Sequence, residues 1–181
     1  MDRHLRRGLL ACLGLALLGG SARAADRLGT DLFAAYSLAR IDRVSRHGGQ
    51  AGIGFALTGR LTGFVDLSAH RGEGAGLDRS DLTLMAGPGL RLGRPGGTVV
   101  FVRALAGLVR ERTSIGVLDV EIAESANRLG VMGGGGVEFR IGGRWAALLA
   151  GDYLWNDDRE GGQKSGFRAC AGLVHRLGAV R

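Results

Sequence analysis

The chain has 181 residues, a formal net charge of +7, and 34 glycines against only two prolines and two cysteines. This glycine content argues against a helical protein, because each glycine inside a helix costs about 1 kcal/mol relative to alanine. The positive charge does not indicate a nucleic-acid-binding protein, since no basic run is interleaved with aromatic side chains.

The first predicted element is a secretory signal peptide at residues 1–24. The basic start MDRHLRR precedes a 13-residue apolar run, and the small-x-small pattern ARA follows it. The run is too short for a membrane anchor, which needs about 20 apolar residues. A lipoprotein signal is the alternative, because LLAC resembles a lipidation box, although Cys12 lies near the start of the apolar run. Four arginines and one aspartate leave with the predicted signal, so residues 25–181 carry a formal charge of +4 and a single cysteine, Cys170.

Eight β-strands are predicted downstream, because apolar residues recur there with a period of two. In chain order they cover residues 31–41, 50–60, 63–71, 81–92, 98–110, 128–141, 144–155 and 166–177. The connections after strands two, four and six are short. Those after the odd strands are longer and more polar, with the sequences DRVSRHGG, GEGAGLDRS, ERTSIGVLDVEIAESA and NDDREGGQ. Short turns at one rim and longer loops at the other, with an even strand number, are typical of an outer-membrane barrel.

Each predicted strand has one apolar face and one small or polar face. The apolar faces include Leu32, Leu38, Ile53, Leu67, Leu84, Val102, Phe139, Leu149 and Phe167. The opposite faces carry the ionisable residues Asp66, His70, Asp81, Arg91, Arg103, Glu138, Arg140, Asp152, Arg168 and Arg176. Glycines at positions 52, 54, 87, 134, 136 and 172 share the ionisable face.

These glycines indicate which face is the inside of the barrel. A glycine that faces solvent weakens a strand, whereas a glycine inside an eight-stranded barrel makes room in a lumen only just wide enough for side chains. The sequence therefore predicts a transmembrane barrel with lipid on the apolar face and a polar, side-chain-filled lumen. Charges buried in this way are expected to form a network of ion pairs, either structural or gating.

Four aromatic residues are predicted to lie at the membrane interfaces. Trp145 begins strand seven, and Tyr153 and Trp155 lie about ten residues further along, which matches one membrane crossing. Tyr36 of strand one is assigned to the same group.

Four segments resemble the small eight-stranded outer-membrane β-barrel proteins of the OmpA/OmpX-like superfamily. They are DLFAAYSLARI, LMAGPGLRLG, GGGGVEFRIGGRWAALLAGDYLW and FRACAGLVHRLG. The resemblance implies an antiparallel up-and-down barrel in the outer membrane, with periplasmic termini and assembly by the barrel-assembly machinery. The last residues, GAVR, depart from the family pattern because they lack its terminal aromatic residue.

Three functional hypotheses follow for such a barrel. The first is a non-enzymatic envelope-structural or surface-interaction protein, and the second is a narrow, possibly gated, channel. The third is a lipid A-modifying enzyme, whose candidates would be Ser68, His70 and Asp66. Residues two apart on a strand lie about 6–7 Å apart, too far for direct contact between Ser68 and His70, so no catalytic residue is predicted.

The expected partners are outer-membrane lipid and lipopolysaccharide, and the barrel is expected to be a monomer. Arg43, Arg46, Arg71 and Arg79 are candidate contacts to lipid phosphates. No cofactor and no metal site are predicted.

Overall fold

Eight antiparallel strands pair in sequence order and close into a barrel through pairing of the first strand with the last. The computed structural model describes residues 29–41, 44–74, 77–93, 97–117, 120–157 and 163–177, and the predicted signal peptide lies outside them. The strands are β1 Thr30–Ile41, β2 Val44–Ala56, β3 Leu61–Gly74, β4 Leu77–Gly93, β5 Thr98–Val117, β6 Val120–Gly142, β7 Trp145–Asp157 and β8 Gln163–Arg176. The prediction of an all-β, eight-stranded, up-and-down barrel is confirmed.

Closure gives every strand two hydrogen-bonded neighbours. β1 pairs with β8 from Asp31 opposite Arg176 to Ile41 opposite Gly166. Closure removes the unpaired sheet edges that would be too costly in lipid, where no water can satisfy backbone groups. In the part of the chain that the structure describes, no helix combines the length and the hydropathy that crossing a membrane requires.

The outer wall of the barrel is apolar over most of its height. Large apolar side chains stand exposed on every strand, among them Leu38, Ile53, Leu67, Leu84, Leu108, Val131, Leu149 and Leu173. A soluble monomer rarely exposes a contiguous apolar surface of this extent. The faces predicted to meet lipid are therefore the outward faces.

Three of the four predicted long loops are wrong, because most of their residues belong to strands, and the fourth, NDDREGGQ, lies mostly outside the described residues. β2 begins at Val44, which leaves only residues 42–43 between it and β1. β5 continues to Val117 and β6 begins at Val120. The pattern failed here because these strand ends lie beyond the apolar band. Backbone pairing continues there, but neither face needs apolar side chains, so the alternation in the sequence disappears.

The β5–β6 hairpin projects furthest from the barrel. Pairing between β4 and β5 begins at Asp78 opposite Ser114, and pairing between β6 and β7 begins at Gly130 opposite Asn156. The residues of β6 before Gly130 therefore pair with β5 alone among the described residues.

Candidate functional site

Four charged side chains cross the middle of the barrel. Arg103 of β5 donates through Nε and Nη2 to the two carboxylate oxygens of Asp152 of β7, at 3.0 and 2.8 Å. The guanidinium of Arg168 on β8 forms ion pairs with Asp152, at 2.8 Å, and with Asp66 of β3, at 3.0 Å. Arg103 also lies 3.4 Å from Asp66, which closes the ring of ion pairs. Two cations balance two anions, and both carboxylates are completely buried, so this central cluster joins four strands across the lumen.

Small residues make room for this central cluster. A Cβ atom at Gly134 would collide with the Asp152 carboxylate, and one at Gly52 would collide with the ring of Phe33. Because a larger residue would displace these side chains, the inward glycines are part of the packing.

Aromatic rings surround the Arg103 guanidinium. It lies 5.8–5.9 Å from the ring centroids of Phe33, Phe64 and Phe101, within the range of cation–π attraction. The sequence prediction missed these inward rings because it assigned the more apolar face of each strand to lipid and described the opposite face by its charged and small residues.

The prediction of a polar lumen is not confirmed, because apolar side chains fill it about as much as polar ones. The buried apolar side chains include Phe33, Phe64, Met85, Phe101, Leu105, Val109, Met132, Leu148, Leu154 and Val174. A narrow barrel must be packed to the density of a protein interior, and charges can occupy it only where partners are in reach. The lumen therefore has charged clusters separated by apolar packing.

A second buried cluster lies toward the rim of the projecting hairpin. Arg46 donates to Asp81 at 2.8 Å and to Glu111 at 3.2 Å. His70 Nδ1 lies 3.1 Å from Asp81, and His70 Nε2 lies 2.9 Å from Ser37 Oγ. The sequence predicted a loop at Arg46. Arg46 in fact belongs to β2, an even number of residues from Gly52 and Gly54, and this spacing could have identified it as an inward residue.

This register also revises the arginines predicted to meet lipid phosphates. Arg46 points into the lumen, where it is 1% exposed and pairs with Asp81. Arg79 lies on the same face of β4 as Asp81 and so turns inward. Arg43 lies outside the described residues. Arg71 is exposed, and its contact with lipid phosphates stays a prediction.

Ion pairs also occur near the opposite rim, where β1 begins and β8 ends. Arg176 donates to Glu138 at 3.1 Å, and Arg91 pairs with Asp31. The prediction that Arg140 belongs to the lumen network is corrected, because its side chain is exposed and, among the described residues, donates a hydrogen bond only to the backbone oxygen of Gly143. The bulge between Arg140 and Gly142 ends the regular alternation, so Arg140 lies outside the lumen network.

The four predicted interfacial aromatic side chains are all exposed on the outer wall. Trp145 lies at the β6–β7 turn, with its ring 4.5 Å from that of His175. Tyr153 and Trp155 pack together toward the other end of β7, with their ring centroids 4.6 Å apart. Tyr36 differs, because it lies midway along β1 and not near either end of that strand.

The structure does not join Ser68 to His70. Ser68 accepts a hydrogen bond from Arg168, and His70 bridges Ser37 and Asp81. The order Ser37–His70–Asp81 matches the hydrogen bonding of a hydrolase triad.

A hydrolytic role for Ser37 would need space for a substrate. Ser37 is completely buried. The nearby cavity, which His70 and Asp81 line, has a volume of about 20 Å³. Such a cavity holds about one water molecule, so a lipid acyl group has no room beside the serine.

Comparison with known proteins gives matches among solved structures alone. No protein-family model matches the sequence, and the search of curated proteins found no match. The barrel is similar to Ail of Yersinia pestis, solved with the heparin analogue sucrose octasulfate, at 14% identity and a TM-score of 0.59 over 83% of this chain and 99% of that one. It is similar to Neisserial surface protein A at 14% identity and a TM-score of 0.60 over 82% and 96%. The outer membrane protein OprG of Pseudomonas aeruginosa matches at 8% identity and a TM-score of 0.54 over 83% and 96%.

These likenesses establish the fold. The chain has the architecture of the small eight-stranded outer-membrane β-barrels, as the resemblance in its sequence implies. At identities of 8–14%, the role of a residue in one of these proteins cannot be assigned to a residue of this chain.

Proposed function

We propose that this chain is a non-enzymatic integral outer-membrane protein that acts through its outer wall and its projecting hairpins. Its role would be structural in the envelope or would lie in contacts with surface partners, with lipopolysaccharide as the neighbouring lipid. The termini would lie in the periplasm, and the barrel-assembly machinery would insert the protein as a monomer.

The observation that carries this proposal is the closed central cluster. Asp66 and Asp152 are completely buried, and each pairs with both Arg103 and Arg168. A solute could pass only if these ion pairs separated, and unpaired buried charges are costly. The cluster therefore supports a packed, structural lumen over the alternative of a narrow channel.

The hypothesis of a lipid A-modifying enzyme is tested by two serine variants. Lipid A from Gram-negative cells that express the wild-type protein, Ser37→Ala or Ser68→Ala is expected to have the same acyl composition in each case. Mass spectrometry of extracted lipid A measures this composition, and cells carrying an empty vector provide the reference. Loss of an acyl chain that requires the wild-type protein and is abolished by Ser37→Ala would establish an enzyme and overturn the proposal.

Insertion itself is tested on the refolded protein. Residues 25–181, refolded into lipid vesicles, are expected to migrate differently in gels before and after heating, because a closed barrel resists unfolding by detergent. The strands are expected to resist proteolysis in the same vesicles. A chain that stays in the aqueous phase, with no heat-dependent migration, would contradict membrane insertion.

A further inference from the structure

A row of uncharged polar side chains lies inside the barrel between the two buried charged clusters. This middle row consists of Gln50 of β2, Ser68 of β3 and Thr83 of β4, which the strand register places opposite one another. All three side chains are buried, with at most 4% of each residue exposed. On one side the row adjoins Asp81 of the second cluster, and on the other side it adjoins Asp66 of the central cluster.

The middle row has more hydrogen-bonding groups than its protein neighbours satisfy. Neither the amide nitrogen nor the amide oxygen of Gln50 has a hydrogen-bond partner among the described residues. The Ser68 hydroxyl accepts a hydrogen bond from Arg168 at 3.0 Å, and within the same part of the chain no residue accepts its hydrogen. Buried polar groups are almost always hydrogen-bonded, and ordered water is the partner where no protein group is in reach.

A cavity of about 20 Å³ adjoins this row. Ser68, Thr83 and Asp81 supply polar groups to its lining, and Met132 and Leu154 supply apolar ones. A cavity of this size holds one water molecule, and a buried water typically makes about three hydrogen bonds. We propose that this cavity binds one ordered water molecule, which accepts a hydrogen bond from Ser68 and donates to Asp81 and Thr83.

The groups around the cavity favour water over an ion. Arg168 also lines the cavity, and its five hydrogen bonds to Ser68 and to the carboxylates of the central cluster match its five N–H donors. This match leaves no guanidinium donor for an anion. A cation is not needed either, because the Asp81 carboxylate already pairs with Arg46 at 2.8 Å. A neutral molecule that both donates and accepts hydrogen bonds satisfies the remaining groups.

The proposed water joins the two clusters into one network. Glu111 and Asp81 both accept from Arg46 in the second cluster, and the water then connects Asp81 to Ser68. Ser68 in turn accepts from Arg168 of the central cluster. The hydrogen bonds would therefore continue from the rim of the projecting hairpin to the middle of the lumen. This inference goes beyond the proposed envelope role, because it concerns the interior of the barrel.

Two threonine substitutions of equal shape test the site. Thr83→Val removes a hydroxyl that lines the cavity. Thr62→Val is the control, because the Thr62 hydroxyl is equally buried, has no partner among the described residues, and does not line this cavity. Ser68→Ala/Thr83→Val removes both cavity hydroxyls. Each protein is refolded in nanodiscs with isotope-labelled methyl groups, and NMR measures nuclear Overhauser cross-peaks between water and these methyl groups. Heat-dependent gel migration confirms that every variant has folded.

The methyl groups of Met132 and Leu154 are expected to show cross-peaks to water in the wild type, with the sign of a long-lived bound molecule. These cross-peaks should weaken about fivefold in Thr83→Val, which removes one hydrogen bond of the water, and should be lost in the double variant. They should keep their intensity in Thr62→Val. The γ-methyl group of Thr62 controls for exchange of a hydroxyl hydrogen with bulk water, and we expect no cross-peak there.

Three results would overturn the inference. They are the absence of these cross-peaks in the folded wild type, their survival in Ser68→Ala/Thr83→Val, and a cross-peak of equal strength at the Thr62 methyl group. None of these results bears on the envelope role, which the lipid A and insertion experiments test separately.

Discussion

Leu149→Arg is expected to destabilise the folded barrel in bilayers by about 2–4 kcal/mol, because an arginine then faces hydrocarbon near the midplane. Leu149 is 53% exposed on the outer wall, and its partners on β6 and β8 are Val137 and Ala171. No acidic side chain lies among these neighbours to pair with the new charge. Reversible urea unfolding in lipid vesicles measures the free energy.

Leu57→Arg is the matched control for this substitution. Leu57 is exposed to a similar degree, at 46%, but lies in the connection between β2 and β3. An arginine near the interface costs only about 0–1 kcal/mol, because its charge reaches water. Equal losses at the two positions would mean that the outer wall at Leu149 does not meet lipid, which would contradict a membrane-embedded barrel.

Asp152→Ala is expected to lower the free energy of unfolding by about 3–5 kcal/mol, because it removes one partner of a buried ion cluster. Asp152 accepts hydrogen bonds from Arg103 and Arg168, and it is completely buried. After the substitution, Asp66 is left to balance two guanidinium groups. Urea unfolding in vesicles measures this loss as well.

Two further variants separate charge from packing at this cluster. Asp152→Ala/Arg103→Met removes the excess cation and leaves the Arg168–Asp66 pair at 3.0 Å, so it is expected to recover most of the lost stability. Asp78→Ala removes an exposed carboxylate and is expected to change stability by less than about 1 kcal/mol. A double variant no more stable than Asp152→Ala would show that the loss comes from the cavity and not from the unpaired charge.

The strand number, the strand order and the outward faces could be predicted from the sequence, because lipid imposes a period-two pattern on each strand separately. Leu149 and Phe167 are examples, since each stands out from its own neighbours along the chain. The ends of the strands could not be predicted in this way. Beyond the apolar band β5 and β6 continue to pair, but water accepts any side chain on either face.

The pairing of the buried charges could not be predicted either, because it depends on the register around the whole barrel. Asp66 and Arg168 are 102 residues apart in sequence and meet across the lumen. His70 forms a hydrogen bond with Ser37, which lies on a different strand, and not with Ser68 on its own strand. Local spacing holds no information about which strands face each other across a closed barrel, or about how far one strand is shifted against the next.

The most direct test of a packed lumen is the single-channel conductance of the refolded protein in planar bilayers. Only material with the heat-dependent migration of a folded barrel is used, and Asp152→Ala serves as the comparison. The ion pairs among Arg103, Arg168, Asp66 and Asp152 predict a silent bilayer for the wild type. Discrete, reproducible conductance steps from folded wild-type protein would contradict this account and establish a channel.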